Sequence, residues 1–159
     1  PEGKLIQIDD HYTMISTGYG NITPWRCPRD VEEDDLGARI DSMAVQVKDF
    51  DHCVFNFHCP PYDTVLDQAP QLDDQMRPTL EMGGKPKMVP VGSRAIRRAI
   101  DRYQPRLGLH GHIHESRGSQ KLGRTTCVNP GSEYGEGVLR GVIIDLDKKG
   151  IKSVTFTSG

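Results

Sequence analysis

The stretch "LHGHIHES", residues 109–116, places His110, His112 and His114 within five positions of a chain that has only six histidines. Imidazole is the commonest protein ligand for metals, suiting zinc as well as iron and copper. His112 and His114 are separated by one residue, so on an extended segment they face the same side. At a turned strand end they can converge on neighbouring metal positions. His58 joins them from far away in sequence. It closes "HCVFNFH", residues 52–58, a near-continuous apolar run of the kind that forms a strand buried on both faces. In open α/β sheets ligands gather at the carboxyl ends of strands, so two such ends carrying histidines make a constellation. The plain alternative is that these histidines are exposed or satisfied in the core, which an H-x-H pair alone does not exclude.

Other elements must position these residues. "KLIQI" and "YTMISTGYG" predict two strands around the turn "DDH". "VEEDDLGARIDSMAVQV", residues 31–47, sets Leu36, Ile40, Met43 and Val47 on one face with acids in the first turn, the pattern of an amphipathic helix. Residues 59–92 are polar and rich in Pro, Gly and Asp, longer than an ordinary connection and typical of a functional or mobile loop. Ser93 predicts the cap of "RAIRRAIDRY", whose apolar face is Ala95, Ile96, Ala99, Ile100 and Tyr103, and Pro105 stops it. "RLGLH" reads as a short buried strand that delivers the histidine cluster onto a loop. "TTCVN", "GVLRGVIIDL" and "IKSVTFT" supply further strands, the last two joined across "DKKG". Strand, helix and strand in alternation predict one α/β layered domain over residues 1–159, with antiparallel edges from the closing hairpins.

Further candidates surround the histidines. Asn129, Gly131 and Ser132 lie in "VNPGSEYGEG", a turn that can offer backbone N–H groups and a hydroxyl to an anionic substrate, or simply turn the chain. His110 either orients a ligand or sits satisfied in the core, and His52 reads as structural, at a strand start. Trp25 and Tyr62 can stack on a ring, although packing is their commoner use. Arg94, Arg97, Arg98 and Arg102 read as a solvated basic face. Cys59 reads as a loop filler, because no base is assigned to it.

Composition narrows the class. A chain of 159 residues buries roughly 70% of its unfolded surface, enough for one real core. A net charge of −2 gives no bulk positive field for nucleic acid. The four cysteines form no CxxC pair and are expected as reduced, mostly buried thiols. No apolar run approaches the roughly 18 residues of a membrane span, and no secretory pattern opens the chain, so the expected setting is cytoplasmic. The opening "PEGKLIQI" reads as part of something longer.

His58 in "FNFHCPPYDT", "GHIHE" at 111–115, "VNPGSEYGEG" at 128–137 and "TPW" at 23–25 before an acidic helix together resemble the C-terminal half of calcineurin-like metallophosphoesterases of the small prokaryotic type. The similarity covers nearly the whole chain. It implies that residues 1–159 are the C-terminal portion of a layered α/β/β/α sandwich. It also implies two divalent ions, Mn, Fe, Zn or Ni, about 4 Å apart, with His58 and His112 on one and His114 on the other. The implied reaction is hydrolysis of a phosphomonoester or phosphodiester, of a small molecule or a nucleotide, by a hydroxide bridging the ions.

The resemblance is incomplete. The family pattern also needs D-x-H, G-D-x-x-D and G-N-H-D or G-N-H-E. "DDH", Asp9 to His11, fits the first formally but falls in a hairpin turn, and "GNI", Gly20 to Ile22, lacks the histidine, so Asn21 reads as a turn residue. The expectation is therefore that this chain alone binds metal weakly and hydrolyses little. It is expected to associate with the missing N-terminal half, a companion chain or a copy of itself. The alternative class is a non-catalytic binding module or degenerate fragment; nucleic-acid binding is a third, which the charge disfavours.

Overall fold

The computed structural model describes residues 2–159. In chain order the strands and helices are β1 (Leu5–Gln7), β2 (Thr13–Thr17), β3 (Gly20–Asn21), β4 (Asp30–Val31), α1 (Glu33–Ala44), β5 (Cys53–Phe57), β6 (Gln68–Pro70), β7 (Met88–Pro90), α2 (Arg94–Tyr103), β8 (Leu107–Leu109), β9 (Gly118–Leu122), β10 (Thr125–Asn129), β11 (Arg140–Asp147) and β12 (Gly150–Ser158). A central six-stranded sheet runs β1-β2-β5-β8-β10-β9. Its four inner strands are parallel and its two edges, β1 and β9, are antiparallel. The molecule is thus a mixed α/β protein with few helices.

Alternation along the strands decides what lies on each face. On one side Ile15, Phe55, Phe57 and Cys127 meet Leu36, Ile40 and Met43 of α1 and Ala95, Ile96 and Ile100 of α2. On the other side Tyr12, Val54, Leu107 and Val128 meet Val142, Ile144, Val154 and Phe156 of the β11–β12 hairpin. The hairpin covers only part of its face: on β5, Val54 lies under it, whereas Asn56 is exposed.

Helix α1 is shorter at both ends than its apolar spacing predicts. Its first-turn acids do more than complement their own helix. Both Glu33 carboxylate oxygens cross to α2, accepting from the backbone N–H groups of Arg94 and Ala95 and from the Ser93 hydroxyl. Ser93 in turn caps α2 by accepting from Ile96 N–H.

The long segment after His58 is ordered by hydrogen bonds that its composition conceals. Asp67 is fully buried, and its carboxylate accepts from the backbone N–H groups of Asp63, Thr64 and Gly92, tying the two ends of the segment together. Beyond it β6 and β7 pair as the base of an arm. Sequence patterning predicts neither these strands nor β9, whose "GSQKL" is too polar to stand out. "YTMISTGYG" is likewise not one strand, because the chain leaves the sheet after Thr17 to pair β3 with β4. His52 lies in a short 3-10 turn, Phe50–His52, ahead of β5. All four cysteines are free, with Cys53, Cys59 and Cys127 buried and Cys27 exposed.

Candidate metal centre

His58 follows β5, and the segment carrying His112 and His114 follows β8, the neighbouring parallel strand. Parallel pairing brings both strand ends to the same edge, so two histidines 54 residues apart in sequence meet: His112 Nδ1 lies 3.0 Å from His58 Nε2. Their ring centroids are 4.7 Å apart, edge to face.

The backbone fixes His58 on every side. Its N–H donates to Thr17 O and its carbonyl accepts from Gly111 N–H, each at 3.0 Å. His110, directly before Gly111, is buried, and its Nδ1 lies 2.9 Å from Cys59 O and 3.3 Å from Phe57 O. Both partners are acceptors, so Nδ1 carries the proton, and the Nε2 atom is buried without a partner. Burial pushes the His110 imidazole down to about 4, so it is neutral. It therefore clamps the peptides on either side of His58.

His112 adopts a left-handed backbone, φ 65°, which few residues other than glycine tolerate. That turn aims its ring at His58. Burial lowers both basicities below the ordinary imidazole value, with Arg29 adding to the effect on His58 and His58 adding to that on His112. Neutral imidazoles with free lone pairs are what a metal ion needs. Asp30 acts the other way on both rings, its charge favouring their protonated forms. This carboxylate escaped sequence reading. It accepts from Thr23 N–H, Thr23 hydroxyl and Cys27 N–H, holding the "TPW" loop beside the histidines.

His114 is exposed, its field reaches both other histidines, and its ring stands edge-on to Tyr134 at 5.5 Å. It does not join their contact. Among the described residues no three His, Cys, Asp or Glu side chains gather closely enough to hold an ion between them. The described donors are therefore a contacting pair of imidazoles, a third histidine on the same loop as His112, and no converging carboxylate.

The turn after β10 is built differently from its sequence reading. Asn129 is fully buried; its Nδ2 donates to Leu66 O and Ile113 O, and its Oδ1 accepts from Gly131 N–H. Ser132 N–H donates to His114 O at 3.1 Å. The backbone donors expected to meet an anion are thus spent holding the histidine loop, and only the Ser132 side chain is left to face a ligand. Gly131, at φ 70°, lets the turn approach within contact of Arg117, where an added β-carbon would stand 2.9 Å from Arg117 Cβ.

The two near-matches are structural. Asp9 accepts from His11 and Tyr12 N–H groups in the β1–β2 turn. That turn lies at the amino end of β2, a strand length of about 17 Å from the histidines. Asn21 Nδ2 donates to Val91 O, joining β3 to the end of the long segment.

No protein-family model matches the chain. Uncharacterized protein MJ1162 of Methanocaldococcus jannaschii is 30% identical over 129 residues, which is 80% of this chain and 51% of that one. One solved structure superposes with a TM-score of 0.64 at 18% identity, covering 98% of this chain and 52% of its own. TT1561 of Thermus thermophilus superposes with a TM-score of 0.54 at 15% identity, over 99% of this chain and 57% of its own. These likenesses support the α/β fold, and the chain spans about half the length of the proteins it matches.

Proposed function

We propose that this chain is the C-terminal portion of a calcineurin-like metallophosphoesterase, supplying the histidine half of a two-ion centre that hydrolyses a phosphomonoester or phosphodiester. The observation that carries the reading is the meeting of His58 and His112 from two parallel strand ends, with the strained His112 backbone holding its ring in place. Strain of that kind clusters at functional sites. A sheet with helices on one face and a second, two-stranded sheet on the other supports three layers of an α/β/β/α sandwich. That the similar proteins are about twice as long supports a missing half.

In this reading His58 and His112 hold one ion, and His114, with donors from the absent half, holds the other. Divalent ions so held supply Lewis-acid charge to the phosphoryl oxygens and lower the pKa of the attacking water. The chain's own part is to fix the donors: His110 and Gly111 lock His58, and Asn129 and Ser132 lock the loop that carries His114. Its substrate is a phosphorylated small molecule or a nucleotide. No described helix is long and apolar enough to cross a membrane, and a cytoplasmic setting belongs to the same proposal.

The test is Mn-dependent hydrolysis of p-nitrophenyl phosphate and bis(p-nitrophenyl) phosphate by this chain alone and together with sequence carrying D-x-H, G-D-x-x-D and G-N-H-D. The combined protein is expected to turn over, and His58→Ala or His112→Ala to lower its rate by at least about 100-fold, since even residues that only support metal ligands cost 10–100-fold. Full activity in those variants, or robust turnover by the isolated chain, would overturn the proposal. The one other reading is a binding module that has lost catalysis. Metal binding without turnover in the combined protein would select it.

A further inference from the structure

His114 also lines a cleft of about 300 Å³ with Glu115, Arg117, Ser132, Glu133 and Arg140. Two arginines line it from separate segments. Arg117 follows His114 by three residues and is braced over the Phe156 ring at 4.6 Å. Arg140 opens β11, and its Nη2 donates to Glu133 Oε2 at 2.5 Å, while its Nε is buried with no partner.

The second contact of that pair is missing. Nε and Nη2 share one edge of a guanidinium, the edge that grips an oxoanion with two parallel hydrogen bonds. Glu133 satisfies one of the two. A carboxylate held by half of a fork is a weaker partner than a phosphate or carboxylate that fills it. Glu133 precedes the short turn Tyr134–Glu136, and its side chain is 41% exposed, so turning it out to solvent gives up little burial. With Glu133 displaced, two guanidinium groups face Glu115 as the remaining acid of the cleft.

We infer that this cleft is an oxoanion subsite in which Arg140 and Arg117 take the non-reacting phosphate or carboxylate of a substrate, with Glu133 as a built-in competitor. The proposal rests on the phosphoesterase reading for the identity of the bound molecule. The chemistry of an oxoanion on arginine does not depend on that reading.

The experiment is a metal-free titration of the ¹⁵N-labelled chain in EDTA, with inorganic phosphate in one arm and malonate in the other. The readouts are the arginine Nε–H resonances and the backbone amides. Saturable shifts are expected at Arg140, Arg117 and residues 131–136. Arg140→Gln is expected to weaken binding by about tenfold or more, and Glu133→Gln to tighten it several-fold. Tighter binding of phosphate than malonate assigns the subsite to a second phosphoryl group, and the reverse assigns it to a carboxylate. Shifts confined to residues 57–59 and 110–112, no saturable shift, or a Glu133→Gln variant that binds no better would each overturn the inference. Should Arg140→Gln fail to fold, Arg117→Gln and Glu133→Gln carry the same test. Since neither metal nor turnover enters, failure here leaves the hydrolysis assay to judge the phosphoesterase reading separately.

Discussion

His112 sits in the left-handed region, which any residue with a β-carbon adopts at some cost. A β-carbon at φ 65° costs roughly 1–2 kcal/mol against the right-handed alternatives. The ring is held because Gly111 and Ile113 fix the chain on either side, through Gly111 N–H to His58 O and Ile113 N–H to Gly111 O. Replacing His112 therefore separates two effects. His112→Ala removes the imidazole and keeps the strain, whereas His112→Gly removes both. The glycine variant is expected to be more stable than the alanine variant by about 1 kcal/mol. Urea denaturation of the two proteins measures this, and equal stability would mean that the backbone there is relaxed.

At the scale of elements, the β11–β12 hairpin is fastened to the sheet at its turn by two side chains. Tyr12 donates its hydroxyl proton to Asp147 O at 2.9 Å. His52 lies 3.0 Å from Lys148 O through Nε2 and 2.8 Å from Asp49 Oδ2 through Nδ1. Both of its partners accept, so both ring nitrogens donate, which only the imidazolium can do. The Lys148 carbonyl, and after it Asp49, raise the His52 basicity above its ordinary value of 6.5. A raised folded-state value means that the contribution is whole below about 6.5 and is lost as the pH climbs through the folded-state value. Denaturation at stepped pH is expected to show stability falling as the pH rises above about 6.5, with a shallower fall in His52→Gln. An unchanged slope in that variant would remove His52 from the account.

The same scale shows what the sequence made legible. α2 stands out because its apolar residues repeat at the helical period, β5 because it is a near-continuous apolar run that His58 closes, and His112 because it lies one residue from His114 just after another short apolar run. β9 pairs only with β10 and keeps polar residues along its length, so no apolar period marks it. The Glu33 cap on α2, the Asp67 knot and the Arg140–Glu133 pair are charged side chains joined across the fold, and no local spacing announces them. Asn129 was legible as a residue of interest but not in its role: its amide faces Leu66 and Ile113, and only the packed structure puts those carbonyls beside it.

The whole molecule leaves one layer half built. Among the described residues β11 and β12 pair with each other alone, so each keeps an open edge. Edges eight and nine residues long are sites where further strands add. Asn56, on a central strand, is exposed on that same face. The protein is therefore expected to complete this layer by association, with a companion chain or a copy of itself. Native mass spectrometry would then show an assembly heavier than 17.7 kDa, and a monomer at every concentration would count against it.

Position 58 carries a last consequence. Everything that fixes it is peptide: its own N–H and carbonyl, and the carbonyls of its two neighbours held by His110. The side chain adds only its contact with the His112 ring. The fold thus provides a socket whose side chain is exchangeable: under the proposed metal-binding reading, a thiolate there would favour softer ions and a carboxylate harder ones. Metal preference in such a scaffold can drift by single substitutions while the architecture stays untouched.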